Sequence, residues 1–210
     1  MDSQNKKLVI FDFDGVLVDT LIMHYKISSK VNKGISLNTF KSFFEGNIHK
    51  AIRFDGTPKI RHHNFNELYK QHTRELVIPE ILKNILKNLS EMYNLVIISS
   101  ADTFLINDIL NKECVGVYFQ DILGADMARD KTEKIKTILN KYNIGSENSV
   151  FVTDTSGDVR EGFKCGVKSI AVTWGFHDRK TLENANPIAI IDDPRDLLGA
   201  IKNACPVGDF

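Results

Sequence analysis

The chain has 210 residues, of which 42% are hydrophobic and 26% are charged, and its formal net charge is zero. This length suits one substantial core with a small accessory domain, and the balanced charge does not indicate a nucleic-acid partner. No apolar run reaches the roughly 18 residues that a membrane-spanning helix needs, and the first ten residues lack the apolar region of a signal peptide.

The first predicted element is a buried strand within Lys7–Phe13 (KLVIFDF), a short β-branched run that ends in acidic residues before Gly15. Runs that are apolar throughout are typical of a parallel sheet covered on both faces. Similar runs, each predicted to be a strand, occur later in the chain at Leu95–Ile98, Val150–Val152, Ser169–Val172 and Ile188–Ile191.

Helices are predicted between and after these strands. Pro79–Met92 begins with proline and has apolar residues at helical spacing. The other predicted helices are Thr103–Asn111, Thr132–Tyr142, Val159–Cys165 and Asp193–Lys202. This alternation predicts an α/β fold with a doubly wound, Rossmann-like parallel sheet. The carboxyl ends of the strands would then meet at one edge.

Residues 21–78 interrupt the alternation, because they contain no convincing buried strand. They carry ten Lys and Arg against four Asp and Glu, and they hold five of the six histidines. We predict a small helical domain over 21–78, inserted after the first strand, with the catalytic core formed by 1–20 and 79–210. A basic insertion beside an acidic core suits an anionic substrate, although a solvated helical surface would have the same composition.

Asp12 and Asp14 lie one residue apart where the first strand ends. Two carboxylates there cannot both be buried and ionised without a positive partner. A hard divalent cation with oxygen ligands would provide it, and one carboxylate could then act as a nucleophile while the other transfers protons. An isolated pair of this kind could equally cap the turn at Gly15.

The order of motifs along nearly the whole chain resembles the haloacid dehalogenase-like superfamily of phosphohydrolases. The first family motif, D-x-D-G-x-x-x-D, is matched by Asp12, Asp14, Gly15 and Asp19. The serine of the second, the lysine of the third and the acidic pair of the fourth are matched by Ser99, Lys131, Asp154 and Asp158. The family usually has glycine before this pair, where the chain has Thr153. The later segments are similar to the phosphoglycolate phosphatase and β-phosphoglucomutase branch.

The resemblance implies a role for each matched residue. Asp12 would attack phosphorus and form an aspartyl-phosphate, while Asp14 would act as general acid and base. The phosphate would be bound by Ser99, Ser100 and Lys131. The cofactor would be Mg²⁺, held by Asp12, Asp14 (through its carbonyl), Asp154 and Asp158. Taken singly, the same residues also have structural roles, since Ser99, Ser100 or Asp158 could cap a helix and Lys131 could be a surface lysine.

The inserted domain corresponds to the C1 cap of the family, a helical lid. A closed lid excludes water and selects small substrates. Its candidate specificity residues are His49, Lys50 and Arg53, which could reach an anionic substrate.

The resemblance implies a magnesium-dependent phosphatase that acts on a small phosphorylated metabolite. One alternative is a phosphomutase similar to β-phosphoglucomutase, which shares the motifs and the cap. Another is a non-catalytic regulatory relative, although such a protein would be expected to have lost Asp12 or Asp14. The three cysteines show no C-x-x-C pairing, which is typical of reduced thiols. Reduced thiols are expected in the cytoplasm, so we expect a cytoplasmic protein. We also expect a monomer or weak homodimer, with no nucleic-acid or membrane partner.

Overall fold

A parallel sheet forms the centre of the protein in the computed structural model, which describes residues 6–31, 33–47, 65–128 and 130–207. In these ranges its strands are β1 (Leu8–Phe11), β2 (Asn94–Ile98), β3 (Phe119–Leu123), β4 (Ser149–Thr153), β5 (Lys168–Val172) and β6 (Ala189–Ile191). Their spatial order is β3-β2-β1-β4-β5-β6, and every pairing is parallel. This confirms the predicted doubly wound α/β fold.

Helices cover both faces of the sheet. Val9 and Phe11 of β1 pack into one apolar cluster, while Leu8 and Ile10 pack into a second cluster on the opposite face. The helices of the core are α4 (Glu80–Met92), α5 (Thr103–Lys112), α6 (Lys131–Tyr142), α7 (Ser156–Lys164), α8 (Arg179–Glu183) and α9 (Leu197–Ala204). Single-turn 3₁₀ helices span Gly116–Tyr118, Ser146–Asn148 and Pro194–Asp196.

One strand and one α-helix of the core were not predicted from the sequence. Strand β3 lies at the edge of the sheet and contains Gln120 and Asp121, so it lacks the apolar run of a central strand. The side chain of Gln120 accepts a hydrogen bond from the backbone N–H of Leu95 at a shift in register between β2 and β3. The other missed element is α8, which has only five residues.

Helix α7 begins three residues before its predicted start. Thr155 caps it, because its side-chain oxygen accepts a hydrogen bond from the backbone N–H of Asp158 at 3.3 Å. Asp158 therefore lies in the first turn of α7 and does not cap the helix. Helix α6 begins one residue before its predicted start, at Lys131, and is capped by Asp130.

The described part of the inserted segment is helical, as predicted. It contains α1 (Leu21–Val31), α2 (Leu37–Ser42), a 3₁₀ turn (Phe43–Glu45) and α3 (Phe65–His72). Helix α1 packs against α3, and the 3₁₀ turn packs against α7 of the core. His49, Lys50 and Arg53 lie outside the described residues. We call this segment the cap; its exact limits at 21 and 78 stay a prediction.

The topology determines where the functional side chains meet. Strands β1 and β4 are neighbours at the centre of the sheet, and the chain leaves β1 toward one side and β4 toward the other. Ligands of open α/β sheets bind at such a switch point, outside the carboxyl ends of the strands. Asp12 follows β1 there, Asp154 follows β4, and Ser99 follows β2.

In the described ranges, no helix is long and apolar enough to cross a membrane. The three cysteines carry free thiols.

Candidate active site

A buried lysine joins two acidic side chains at the carboxyl edge of the sheet. The Lys131 Nζ lies 2.7 Å from Asp12 Oδ2 and 2.7 Å from Asp158 Oδ2. Lys131 is the first residue of α6, Asp12 follows β1, and Asp158 lies in the first turn of α7. Lys131 and Asp12 are each 5% exposed. Such a desolvated ion pair would be costly if either partner were removed, because the other charge would stay buried alone.

The charges in this cluster do not balance. Burial raises the pKa of Asp12 well above its usual value; Lys131 opposes this shift, while Asp158 and Asp154 add to it. The pKa of Lys131 is raised because Asp12 and Asp158 outweigh the opposing effect of burial. Burial also opposes the shift at Asp158, but Lys131 and hydrogen bonds lower its pKa. One lysine therefore faces three carboxylates.

Asp154 is fitted tightly among glycines. Gly15, whose φ is +76°, passes so close that a Cβ there would lie 2.0 Å from Asp154 Oδ2, and a Cβ on Gly175 would lie 2.3 Å from the same atom. Asp154 Oδ2 accepts a hydrogen bond from the backbone N–H of Phe176 at 2.7 Å. Its Oδ1 is buried with no hydrogen-bond partner among the described residues. Burial raises the pKa of Asp154 to about 7.

These features fit a hard divalent cation. A buried carboxylate oxygen without a donor, beside a second carboxylate whose pKa is raised, is an arrangement that a cation would stabilise. In the described part of the chain, no group of three or more His, Cys, Asp or Glu side chains is arranged to hold a metal ion. A cation at Asp12 and Asp154 would therefore complete its shell with backbone carbonyl, water or phosphate oxygens, which is typical of Mg²⁺.

Thr153, the residue that departs from the family pattern, contacts the ion-pair cluster. Its hydroxyl donates to Asp158 Oδ2 at 2.9 Å and accepts from the backbone N–H of Thr155 at 3.3 Å. Asp158 therefore receives hydrogen bonds from both Lys131 and Thr153. A glycine at this position would leave Asp158 with one donor fewer.

Asp14 is held by side chains from the cap. The Tyr69 hydroxyl of α3 donates to Asp14 Oδ1 at 2.8 Å, and His24 Nε2 of α1 lies 3.5 Å from the same oxygen. Tyr69 is fully buried, and burial together with Asp14 raises its pKa. On the core side, the Ser99 hydroxyl lies 3.5 Å from Asp14 Oδ2. Asp14 therefore links the cap to the core.

The loop after β2 carries Ser99 and Ser100, the predicted phosphate-binding residues. Ser99 is fully buried, and its hydroxyl accepts from the backbone N–H of Ala101 at 3.0 Å. Its carbonyl accepts from Nζ of Lys134, a second buried lysine, at 2.5 Å. Burial, with a contribution from Lys131, lowers the pKa of Lys134 to about 8. Lys134 therefore fixes the peptide that precedes Ser100.

One cavity of about 50 Å³ brings most of the predicted residues together. Its lining includes Asp12, Asp14, Ser100, Lys131, Asp154 and Asp158. Ser99 lies behind this lining and contacts Asp14, while Asp19 is exposed to solvent. Among the further lining residues, five were not assigned to the site from the sequence, namely His24, Phe44, Thr155, Glu161 and Phe176. No local pattern marks them, because they come together only when the cap packs on the core.

The chain is similar to known proteins over most of its length. Residues 9–172 match the family model of haloacid dehalogenase-like hydrolases. The chain is 21% identical to the phosphoglycolate phosphatase of Vibrio cholerae, over 93% of this chain and 96% of the relative. It is 28% identical to the probable phosphatase IndB of Dickeya dadantii, over 93% of each chain. The crystal structure of a predicted phosphatase from Clostridium acetobutylicum superposes with a TM-score of 0.79 at 23% identity, covering 94% of this chain and 99% of that one.

The buried Lys134 predicts a specific pH dependence of stability. Its pKa is about 8 in the folded protein and 10.5 in an exposed lysine. Between these pH values the unfolded chain binds more protons than the folded one, so Lys134 makes stability rise as the pH increases. Lys134→Met removes this contribution. The measurement is a set of urea titrations from pH 7 to about 10. The free energy of unfolding of the wild type should rise relative to that of the variant by up to about 1.4 kcal/mol per pH unit.

The matched control is Lys136→Met, which changes an exposed lysine on the same helix. Its stability should follow that of the wild type at every pH. Parallel curves for Lys134→Met and the wild type would contradict the lowered pKa.

Proposed function

We propose that this chain, which belongs to the haloacid dehalogenase-like hydrolase family, is a phosphatase that hydrolyses a small phosphorylated metabolite through an aspartyl-phosphate on Asp12. The observation that carries the proposal is the buried contact between Lys131 and Asp12, beside Asp154 and Ser100 in one cavity. The names of the Vibrio cholerae and Dickeya dadantii relatives support the hydrolysis of phosphate esters.

Asp12 is positioned to act as the nucleophile. Its Oδ1 accepts from the backbone N–H of Phe13 at 2.7 Å, and its Oδ2 accepts from Lys131 at 2.7 Å. These two bonds fix the carboxylate at the wall of the cavity. In the first step an Asp12 oxygen would form a bond to phosphorus while the bond from phosphorus to the ester oxygen breaks.

Asp14 would manage the protons of both steps. In its protonated form it would give a proton to the departing ester oxygen. It would then take a proton from the water that attacks the phosphorus of the aspartyl-phosphate, which releases inorganic phosphate and restores Asp12. Tyr69 and Ser99 each contact one oxygen of Asp14 and thereby hold its side chain in the site.

Lys131, Ser99 and Ser100 would stabilise the transferred phosphoryl group. Lys131 is already desolvated and held by Asp12 and Asp158, so its charge would act on the equatorial oxygens without reorganisation of solvent. Ser100 lines the cavity, and Lys134 holds the loop that carries it.

The cation would be Mg²⁺, held by the side chains of Asp12 and Asp154 with the carbonyl of Asp14, and by Asp158 through water. When bound, it would neutralise the negative charge of the carboxylates and of the phosphate, which lets the two approach. The partnerless Asp154 Oδ1 supports this assignment.

Replacing the nucleophile tests the proposal. Asp12→Asn should abolish phosphate release from small phosphate esters, because an amide cannot form the aspartyl-phosphate. EDTA should abolish it in the wild type, and added Mg²⁺ should restore it. The measurement is inorganic phosphate released from a panel of esters. Asp108→Asn, an exposed acid on α5, is the control and should retain full activity.

Full activity of Asp12→Asn would contradict the nucleophile, and full activity in EDTA would contradict the cation. Isomerisation of a hexose phosphate without phosphate release would contradict the phosphatase and indicate a phosphomutase.

A second prediction follows from the hydrogen bond that Tyr69 donates to Asp14. Tyr69→Phe removes one donor from the acid-base group but leaves the phosphate contacts intact. We expect kcat to fall by about tenfold or more while KM changes little, since hydrogen bonds to charged groups contribute about 1.5–3 kcal/mol. Tyr25→Phe is the matched control, because the Tyr25 hydroxyl donates to the carbonyl of Ile35 within the cap. An equal loss in both variants, or a loss confined to KM, would contradict the role of Tyr69.

A further inference from the structure

One end of the cavity lies between the cap and helix α7. Residues 44–47 of the cap rest directly on the first turn of that helix. A Cβ added to Gly157 would lie 2.6 Å from the carbonyl oxygens of both Phe44 and Gly46, so this contact requires glycine. The Arg160 guanidinium, one turn further along, donates to the carbonyl of Glu45. This end of the cavity is therefore closed by backbone and side chains of both domains.

A buried carboxylate faces this end of the cavity. Glu161 lies three residues after Asp158 on α7, is 5% exposed and lines the cavity. Its Oε1 accepts a hydrogen bond from the Asn47 side-chain amide at 2.7 Å. Across the described ranges, Glu161 has no ion-pair partner, and its Oε2 accepts no hydrogen bond. A carboxylate this buried is costly unless donors surround it.

Among the described residues, the cations near Glu161 are already engaged. Lys131 is bound to Asp12 and Asp158, and Arg160 is bound to Glu45 and lies 3.5 Å from the Ser156 hydroxyl. Among the described contacts, Glu161 makes no hydrogen bond to Asp12, Asp14 or Asp154. It therefore has no assigned part in the two proposed chemical steps. Within the described part of the chain, Glu161 Oε2 is thus a hydrogen-bond acceptor that no donor occupies.

Aromatic rings form the neighbouring wall of the cavity. Phe44 of the cap and Phe176 of the core lie edge to face with centroids 4.7 Å apart, and both line the cavity. The combination of an apolar wall and a carboxylate suits a short carbon chain that ends in a hydrogen-bond donor. Asp12 and Glu161 line the same cavity of about 50 Å³, so a short group attached to a phosphate at Asp12 would extend toward Glu161.

We propose that Glu161, oriented by Asn47, binds a hydroxyl or ammonium group on the leaving alcohol of the substrate and excludes leaving groups that carry a carboxylate. The inference rests on the proposed phosphatase function and defines its substrate class as phosphate monoesters of short polyols or amino alcohols. A second buried carboxylate against Glu161 would be repelled, whereas a donor would satisfy the open oxygen.

Four phosphate esters of similar length test the proposal, because they differ mainly in the terminal group. They are aminoethyl phosphate, hydroxyethyl phosphate, propyl phosphate and phosphoglycolate. The wild type should hydrolyse aminoethyl and hydroxyethyl phosphate with kcat/KM at least about tenfold above that for phosphoglycolate. This ranking of kcat/KM is measured on the wild type alone, so the test does not depend on the folding of a variant.

Glu161→Gln then separates specificity from a structural role. Glutamine retains an acceptor for Asn47 but removes the charge. We expect kcat/KM to fall for aminoethyl phosphate and to rise for phosphoglycolate, so that the ratio between them changes by about tenfold or more. A structural defect would instead lower both values together. Glu91→Gln, an exposed residue on α4, is the matched control and should leave the ratio unchanged.

A wild type that prefers phosphoglycolate, or a ratio that Glu161→Gln leaves unchanged, would overturn the role of Glu161 while leaving the phosphatase function intact. A wild type that releases phosphate from none of these esters, nor from p-nitrophenyl phosphate, would contradict the phosphatase function and this inference with it.

Discussion

The structure of the site depends on the placement of Lys131 between Asp12 and Asp158. A lysine and two carboxylates can be buried together only if each charge is matched by a partner at hydrogen-bond distance. Both contacts measure 2.7 Å, and Thr153 adds a further donor to Asp158. Because Asp154 lies in the same cluster, Lys131 faces three carboxylates, and two negative charges stay in excess when all three are ionised. This excess would favour a bound cation, and the fixed carboxylate of Asp12 is the proposed nucleophile.

The cluster forms because three strands of a parallel sheet end at the same edge. Asp12 continues the ladder of β1, since its N–H donates to the carbonyl of Val152 in β4 at 2.9 Å. The helices that follow β3 and β4 then bring Lys131 and Asp158 to this edge. In the proposed mechanism the core supplies the groups that would hold phosphate, while the cap supplies Tyr69, which contacts Asp14. The contact that would orient Asp14 as the acid-base group therefore forms only when the cap and the core are packed together.

The sequence was sufficient to predict most of the core but not the contacts between the core and the cap. Asp12, Asp154 and Lys131 were identified because each follows a recognisable strand or begins a helix, so local patterns and motif order locate them. Tyr69 and Glu161 were not, because their partners lie 55 and 114 residues away along the chain and no spacing marks them. Strand β3 was missed for a different reason, namely that an edge strand needs no continuous apolar run.

The central claim is that Asp12 carries the phosphoryl group during turnover. The most direct test is to quench the wild type with acid while it hydrolyses a small phosphate ester, reduce it with borohydride, and analyse its peptides by mass spectrometry. Borohydride converts an aspartyl-phosphate to homoserine, so the account predicts homoserine at position 12 and unmodified aspartate at position 14. Turnover with no modification at Asp12, or with the modification at another residue, would contradict it.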